Sequence, residues 1–202
     1  MSSLLRMSHG IHNAFFISFW WQGRLVRTGE FDQMLVRPIH PIFQIMTQGH
    51  PLPAIGELIP AVTLFALTFS KANISWNPLN VIFLLLVVFS GAIIEWAVFL
   101  FFAAFDFWFI QTENLRGICE PFLWQVAKYP SHIYGRFFQF VITFVFPYAF
   151  IAYYPTHYFF RADVRVFCDF FPYLTPLVAL LSLIIAYKFW MIGLNHYQST
   201  GT

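Results

Sequence analysis

The chain has 202 residues, of which 59% are hydrophobic, 22% are aromatic and only 10% are charged, and its formal net charge is +2. A soluble domain carries roughly 25% charged residues, so this composition predicts an integral membrane protein. The small net charge, with basic residues scattered along the loops, argues against nucleic acid as a partner. The length accommodates about four to six spans of roughly 20 residues, which favours a single all-α membrane domain.

The chain begins with an apolar segment that is too short to span a membrane. Residues 1–22 end in a crowded aromatic run that includes Trp20 and Trp21. The segment lacks the basic start and the small-residue cleavage site of a secretory signal. It is therefore interpreted as the tail of a transmembrane helix, with the tryptophans at the membrane interface.

A polar connection follows over about residues 22–50, and its centre is a compact charged segment, residues 29–41. Thr28 and Gly29 can open a short helix there. Glu30 and Asp32 would then lie in its first turn, where carboxylates interact favourably with the positive end of the helix dipole.

The same short helix carries one apolar face. Phe31, Met34 and Leu35 are spaced at i, i+3 and i+4, which places them together over about two turns. Arg37 and Pro38 end the helix, because a residue before proline is pushed out of the α region and proline has no N–H. Pro41 is expected to repeat the stop.

Four further apolar stretches predict complete spans, so the fold class is a polytopic helix bundle with about four spans plus part of an amino-terminal one. The second stretch would form a helix of roughly 48 Å, longer than a hydrocarbon core of about 30 Å. Between Val81 and Phe105 only Gly91 could break this helix, so no turn residues for a hairpin are present. One tilted helix is therefore favoured over a hairpin. The stretches cover residues 52–70, 79–110, 137–154 and 172–190.

Two acidic residues, Glu95 and Asp106, lie three turns apart on one face of the long helix. Acids at membrane depth are costly and normally face the protein interior or water. Glu95 is expected to face the interior, where it either lines a substrate path or hydrogen-bonds a neighbouring helix. Asp106 is expected to be solvated at the interface.

The remaining connections predict the orientation of the bundle. Residues 111–136 form a second polar loop, and residues 156–171 form an external or re-entrant segment that mixes charges with aromatic side chains. With the first loop in the cytoplasm, seven basic residues lie inside and three outside, as the positive-inside rule requires. The carboxyl terminus is then cytoplasmic, and Cys119 and Cys168 lie on opposite sides. The seven are Arg24, Arg27, Arg37, Arg116, Lys128, Arg136 and Lys188; the three are Lys71, Arg161 and Arg165.

Sequence patterns of catalysis are missing. The chain has no phosphate-binding G-x-x-x-x-G-K-[ST] loop, no G-x-S-x-G elbow and no H-E-x-x-H helix. No enzymatic activity and no bound cofactor are therefore predicted. His9 and His12 could share a helix face, but no third ligand accompanies them, so no metal site is predicted.

The segment Gly-Glu-Phe-Asp-x-Met-Leu-Val-Arg-Pro-Ile-x-Pro at residues 29–41, followed by Phe43-Gln44, resembles the cytoplasmic signature of one family of bacterial permease subunits of type 2 ABC (ATP-binding cassette) transporters. Further matches occur in the same order along the chain. They are Tyr129-Pro130, Ile133-Tyr134-Gly135, Pro147-Tyr148-Ala149-Phe150, Tyr153-Tyr154-Pro155, Phe189-Trp190 and Tyr197-Gln198-Ser199-Thr200-Gly201.

This resemblance implies a permease subunit of an ABC exporter in the bacterial inner membrane. A separate ATPase subunit would hold ATP and Mg²⁺, and a second permease, identical or related, would complete the pathway. Family members usually have six spans, so the chain is expected to lack the first span and part of the second. The residues implied to couple to the ATPase are Gly29, Glu30, Phe31, Asp32, Met34, Leu35, Arg37 and Pro38.

Two other classes of function remain open at this point. One is a truncated permease or a membrane scaffold that does not transport. The other is a membrane-embedded lipid-modifying enzyme, which would require catalytic residues converging at one depth. For a transporter, lipid, drug, peptide and glycan substrates are all compatible with the residues.

Overall fold

The computed structural model describes residues 1–48, 52–70, 77–109, 112–160 and 170–198. These ranges contain helices and no strand, which confirms the predicted all-α class. The α-helices are α1 (Ser2–Phe16), α2 (Gln22–Arg27), α3 (Glu30–Val36), α4 (Pro41–Thr47), α5 (Leu52–Ser70), α6 (Pro78–Ala104), α7 (Glu113–Ala127), α8 (Arg136–Phe140), α9 (Tyr153–Phe160) and α10 (Phe171–His196).

Helix α6 is the central element of the bundle. It continues through a 3₁₀ turn, Phe105–Phe107, and runs unbroken past Gly91, as predicted. Helix α10 packs along it. Within the described ranges, Pro78–Phe107 and Phe171–His196 are the helices long and apolar enough to cross a membrane.

The span predicted over residues 137–154 is broken in the middle. Arg136–Val145 and Tyr148–Phe159 form a pair bent by 78°, which makes a third span if the pair is counted as one. The break itself was not predicted. It follows from Pro147, which lacks an N–H and places Phe146 in an extended conformation (φ −120°, ψ 93°). The remaining predicted span, α5, has its apolar part at Ala54–Thr68 and is shorter than these.

The second polar connection, predicted as a loop over residues 111–136, contains the helix α7. This helix folds back beside α6. Near its start Arg116 contacts Asp106, and further along Trp124 packs on His9, with ring centroids 4.3 Å apart. His9 in turn bonds Glu95, so α7 runs antiparallel to α6 over this stretch.

Residues 156–171, predicted to be external or re-entrant, are only partly described. Their first residues belong to α9 and their last to α10. Residues 161–169, which include Cys168, lie outside the described ranges, and so do Lys71 and Gln111.

The apolar interior divides into two clusters, and α6 contributes residues to both. The first packs the beginning of α1 and α6 against Tyr148 and its neighbours. A Cβ added to Gly91 in this region would collide with the side chain of Ser8, so a glycine is required where α1 crosses α6. The second cluster packs Phe19, Phe31 and Trp190 against the last turns of α6. This second cluster supports the charged segment described next.

Candidate functional site

Helix α3 forms where the sequence predicted a short helix, and its two ends follow from backbone conformation. Gly29 precedes it with φ 73°, a left-handed conformation that glycine adopts without steric cost. Thr28 does not cap the helix, because its hydroxyl donates to the Arg24 carbonyl. Arg37 is extended (φ −79°, ψ 143°) before Pro38 and ends the helix as predicted.

Pro41 does not act as a second stop. It is the first residue of α4, a position where the missing N–H of proline costs nothing. The ring nitrogen Nδ1 of His40 accepts from the Ile42 N–H at 3.3 Å and so caps this helix. The charged segment is therefore followed at once by another short helix.

The apolar face of α3 packs onto the bundle through two of its three predicted residues. Phe31 is 0% exposed and Met34 is 4% exposed. The Phe31 ring lies 5.4 Å from the Phe107 ring and 5.2 Å from the Tyr197 ring, centroid to centroid. Leu35, predicted to join them, is instead 43% exposed.

The last helix holds α3 by a polar contact. The Tyr197 hydroxyl, just after α10, donates to Oδ1 of Asp32 at 2.8 Å. Burial and then this hydrogen bond raise the pKa of Tyr197 to about 12. The hydroxyl therefore keeps its proton, and can donate, throughout the physiological range of pH.

Buried amide side chains complete this support, and sequence reasoning missed their roles. Gln44 Nε2 donates to the carbonyl oxygens of Met34 and Ile39, at 2.8 and 2.7 Å. It thereby provides a hydrogen-bond donor for a carbonyl in the last turn of α3 and for one just after it. Gln22 Nε2 donates to the Ala103 carbonyl at 2.8 Å, and its Oε1 accepts from Trp190 Nε1 at 2.9 Å. The available signal was a glutamine within an otherwise apolar run, which predicts a buried hydrogen bond.

Asp106, at the end of the long helix, is buried and not solvated, contrary to the prediction. It is 4% exposed, and its Oδ2 accepts from Arg116 Nη1 at 2.7 Å. The Thr112 hydroxyl donates to its other oxygen, and Arg116 also donates to the Phe19 carbonyl. The sequence did not indicate this pair, because the two residues belong to a predicted span and a predicted loop.

The opposite side of the segment is open. Glu30, Gln33, Val36, Arg37, Pro38, Ile39 and Phe43 are exposed, and we refer to these seven residues as the docking face. It mixes one acid and one arginine with bulky apolar groups, since Val36 is 87% exposed and Phe43 is 62% exposed. An apolar patch rimmed by charges is typical of a protein-binding surface.

The two predicted intramembrane acids lie in separate environments. Glu95 is 0% exposed, which confirms that it faces the interior, and its Oε1 lies 2.6 Å from His9 Nδ1. Asp106 pairs with Arg116 near the end of the long helix. The structure therefore does not join them into one row.

Several predicted cytoplasmic elements lie at one end of the bundle. Asp32 contacts Tyr197, and Arg116 reaches both Asp106 and the Phe19 carbonyl. The first connection, the start of the second connection and the end of α10 are thus on the same side of the bundle.

Comparison with known proteins agrees with the all-α membrane bundle. A family model described as ABC-2 family transporter protein matches residues 2–201. Comparison with curated proteins and with solved structures gave no match. Because the match covers nearly the whole chain, this is a membrane protein of the permease type, and it belongs to the family of ABC-2 transporter proteins.

Proposed function

We propose that the chain is the permease subunit of an ATP-driven exporter and that α3 is its coupling helix. The observation that carries this proposal is the two-sided character of α3. Phe31 and Met34 are buried in the bundle, while the docking face on the other side is exposed. A helix that transmits a push must be held firmly on one side and free to bind on the other.

The contacts of α3 supply a route for such a push. Phe31 packs on Phe107 at the end of α6, and Asp32 is bonded to Tyr197 at the end of α10. These two helices are the longest apolar elements of the described chain. Closure of two ATPase subunits around ATP would displace α3 and, through these contacts, tilt α6 and α10 between inward-open and outward-open states.

The docking face has the chemistry of a protein partner. Val36 and Phe43 can enter apolar pockets of the ATPase subunit, and Glu30 and Arg37 can pair with charges at the rim, where they favour the correct partner and its orientation. ATP and Mg²⁺ would be held by that partner. In this arrangement the end carrying α3 and the carboxyl-terminal end of α10 face the cytoplasm of a bacterial inner membrane.

A second permease subunit, identical or related, would complete the pathway. One chain supplies two or three apolar spans in its described part, and a closed route between helices requires more. The surrounding apolar surface would contact membrane lipid. Transport would then proceed outward through the interface of the two permeases.

The experiment is a purification of the tagged chain from native membranes, with its partners identified by mass spectrometry. Deleting residues 29–41 would remove the buried Phe31 and disturb the bundle, so a charge reversal at the surface is the sharper variant. We suggest Arg37→Glu, with Arg6→Glu as the matched control. Arg6 is an exposed arginine on α1, one turn before His9, and is not part of the docking face.

Recovery of an ATP-binding subunit with the wild type and with Arg6→Glu, but much less with Arg37→Glu, would support the coupling role. Recovery of the intact, membrane-inserted chain without any ATPase would contradict it and would favour a membrane scaffold. Equal recovery with both variants would place the contact elsewhere on the chain.

A further inference from the structure

A buried polar cluster lies between α1 and α6, away from the docking face. His9 and His12, one turn apart on α1, face Glu95 on α6. One potential metal-binding atom from each of these three residues lies within 4.8 Å of the other two. His12 and Glu95 are both 0% exposed. The third ligand that the sequence lacked is therefore supplied by a helix more than eighty residues away.

Two atoms of the cluster are buried without a hydrogen-bond partner in the described part of the chain. They are His12 Nε2 and Glu95 Oε2. Buried polar atoms are nearly always satisfied, and an unmet one commonly marks an ion or a water. Both atoms are of the kinds that bind transition metals in proteins.

Asn13 sets the ring orientation of both histidines. Its Oδ1 lies 3.3 Å from His12 Nδ1, so that nitrogen can carry the proton and leave Nε2 with a free lone pair. Its Nδ2 donates to His9 Nε2 at 3.1 Å. Metal-binding histidines are normally oriented by a hydrogen bond on the other ring nitrogen, and Asn13 provides it for His12.

The charge of the cluster also favours a cation. Glu57 Oε2 lies 3.9 Å from His9 Nε2, and within the described residues the ion pairs of Glu57 and Glu95 involve only His9. Glu120 is close enough that burial, and then the charge of Glu95, raise the pKa of its carboxyl. Glu57 and Glu95 thus lie beside His9, and no lysine or arginine in the described ranges pairs with either acid.

We propose that His9, His12 and Glu95 form a zinc-binding site buried between α1 and α6. Two imidazoles and one carboxylate are a known ligand set for Zn²⁺, which takes four ligands in tetrahedral geometry and leaves one position for water. Metal–ligand bonds of about 2.0–2.2 Å place the ligand atoms of a tetrahedral site about 3.3 Å apart. Side-chain rotations that move each ligand atom by roughly 1 Å would therefore bring this set to bonding distance.

The surroundings provide an entry and a supporting carboxylate. The side chain of His9 is 21% exposed and that of Glu57 is 51% exposed, so the cluster opens between α1 and α5. When Nδ1 of His9 binds the metal, its ring proton lies on Nε2, 3.9 Å from Glu57 Oε2, and Asn13 Nδ2 no longer donates to that nitrogen. The metal would join α1 to α6 and stabilise their packing.

The test uses the purified full-length chain in detergent, stripped with a chelator and dialysed against Zn²⁺. We expect one zinc per chain by elemental analysis. Glu95→Gln, which preserves the size of the side chain, should weaken binding by at least about tenfold. His9→Gln is a second variant at a less buried ligand, and His196→Ala, at an exposed histidine, is the control.

Cobalt substitution gives a reading that does not depend on a variant. Co²⁺ in the wild-type site should show the strong visible absorption of a tetrahedral complex, and Zn²⁺ should displace it. Tryptophan-fluorescence melting in chelator establishes that each variant is folded. Absence of zinc from the wild type, or equal affinity in wild type and both ligand variants, would overturn the proposal. This result is independent of ATPase binding, so either proposal can fail alone.

Discussion

The Tyr197 hydroxyl donates a hydrogen bond of 2.8 Å to Asp32, so the end of the last helix holds the first turn of α3. The two residues are separated by 165 positions in the chain. Their contact connects the surface segment that carries the family signature to a helix that crosses the membrane.

Removing this hydrogen bond should loosen α3. We expect Tyr197→Phe to cost about 1 kcal/mol locally, because the bond is to a charged acceptor but is only partly buried. Amide hydrogens of Glu30–Val36 should then exchange about fivefold faster, as measured by mass spectrometry. Tyr129→Phe, at an exposed tyrosine, is the control. Unchanged exchange in α3 would show that the Tyr197 hydrogen bond does not hold this helix in place.

The buried and exposed sides of α3 should respond differently to truncation. Phe31→Ala removes a fully buried ring and should lower the free energy of unfolding by about 3–5 kcal/mol. Val36→Ala, at a residue 87% exposed, should leave stability nearly unchanged but weaken recovery of the ATPase subunit. Thermal melting and partner purification of the two variants measure both effects. A stable Phe31→Ala protein would contradict the packing described for α3.

Removing only one charge of the ion pair between Asp106 and Arg116 should destabilise the protein more than removing both charges. Asp106→Asn leaves a buried guanidinium without its counter-charge and should cost about 3–5 kcal/mol. Asp106→Asn combined with Arg116→Met should cost less than the single change, because no buried charge then remains. Unfolding of the single and double variants in mixed micelles measures the difference. Equal loss in both would contradict the prediction, because the unpaired guanidinium would then not be the source of the cost.

The crossing of α1 and α6 should tolerate only glycine at residue 91. In Gly91→Ala the new methyl group collides with Ser8, so the helices must move apart and the melting temperature should fall. Gly117→Ala is matched, because it lies in helix α7 and its added Cβ would meet nothing within 4 Å in the described chain. Alanine favours a helix by about 1 kcal/mol over glycine, so Gly117→Ala should be neutral or stabilising. A similar fall in both variants would indicate a backbone effect and not a collision.

Local features were predictable from the sequence because they depend on neighbouring residues. Apolar composition determines the membrane environment, an unbroken apolar run determines the long helix α6, and Pro38 determines where α3 ends. The order of short signature motifs also predicted the family. None of these conclusions requires knowing which helices touch.

Only the tertiary structure decided which polar residues meet. Asp106 is buried because Arg116 folds back from a segment predicted to be a loop, and Glu95 meets His9 because α1 crosses α6 at Gly91. The break at Pro147 likewise divides a run that is apolar enough for one span. Buried charge, hydrogen bonding and close packing depend on residues distant in the chain, and a single sequence contains no periodic signal that pairs them.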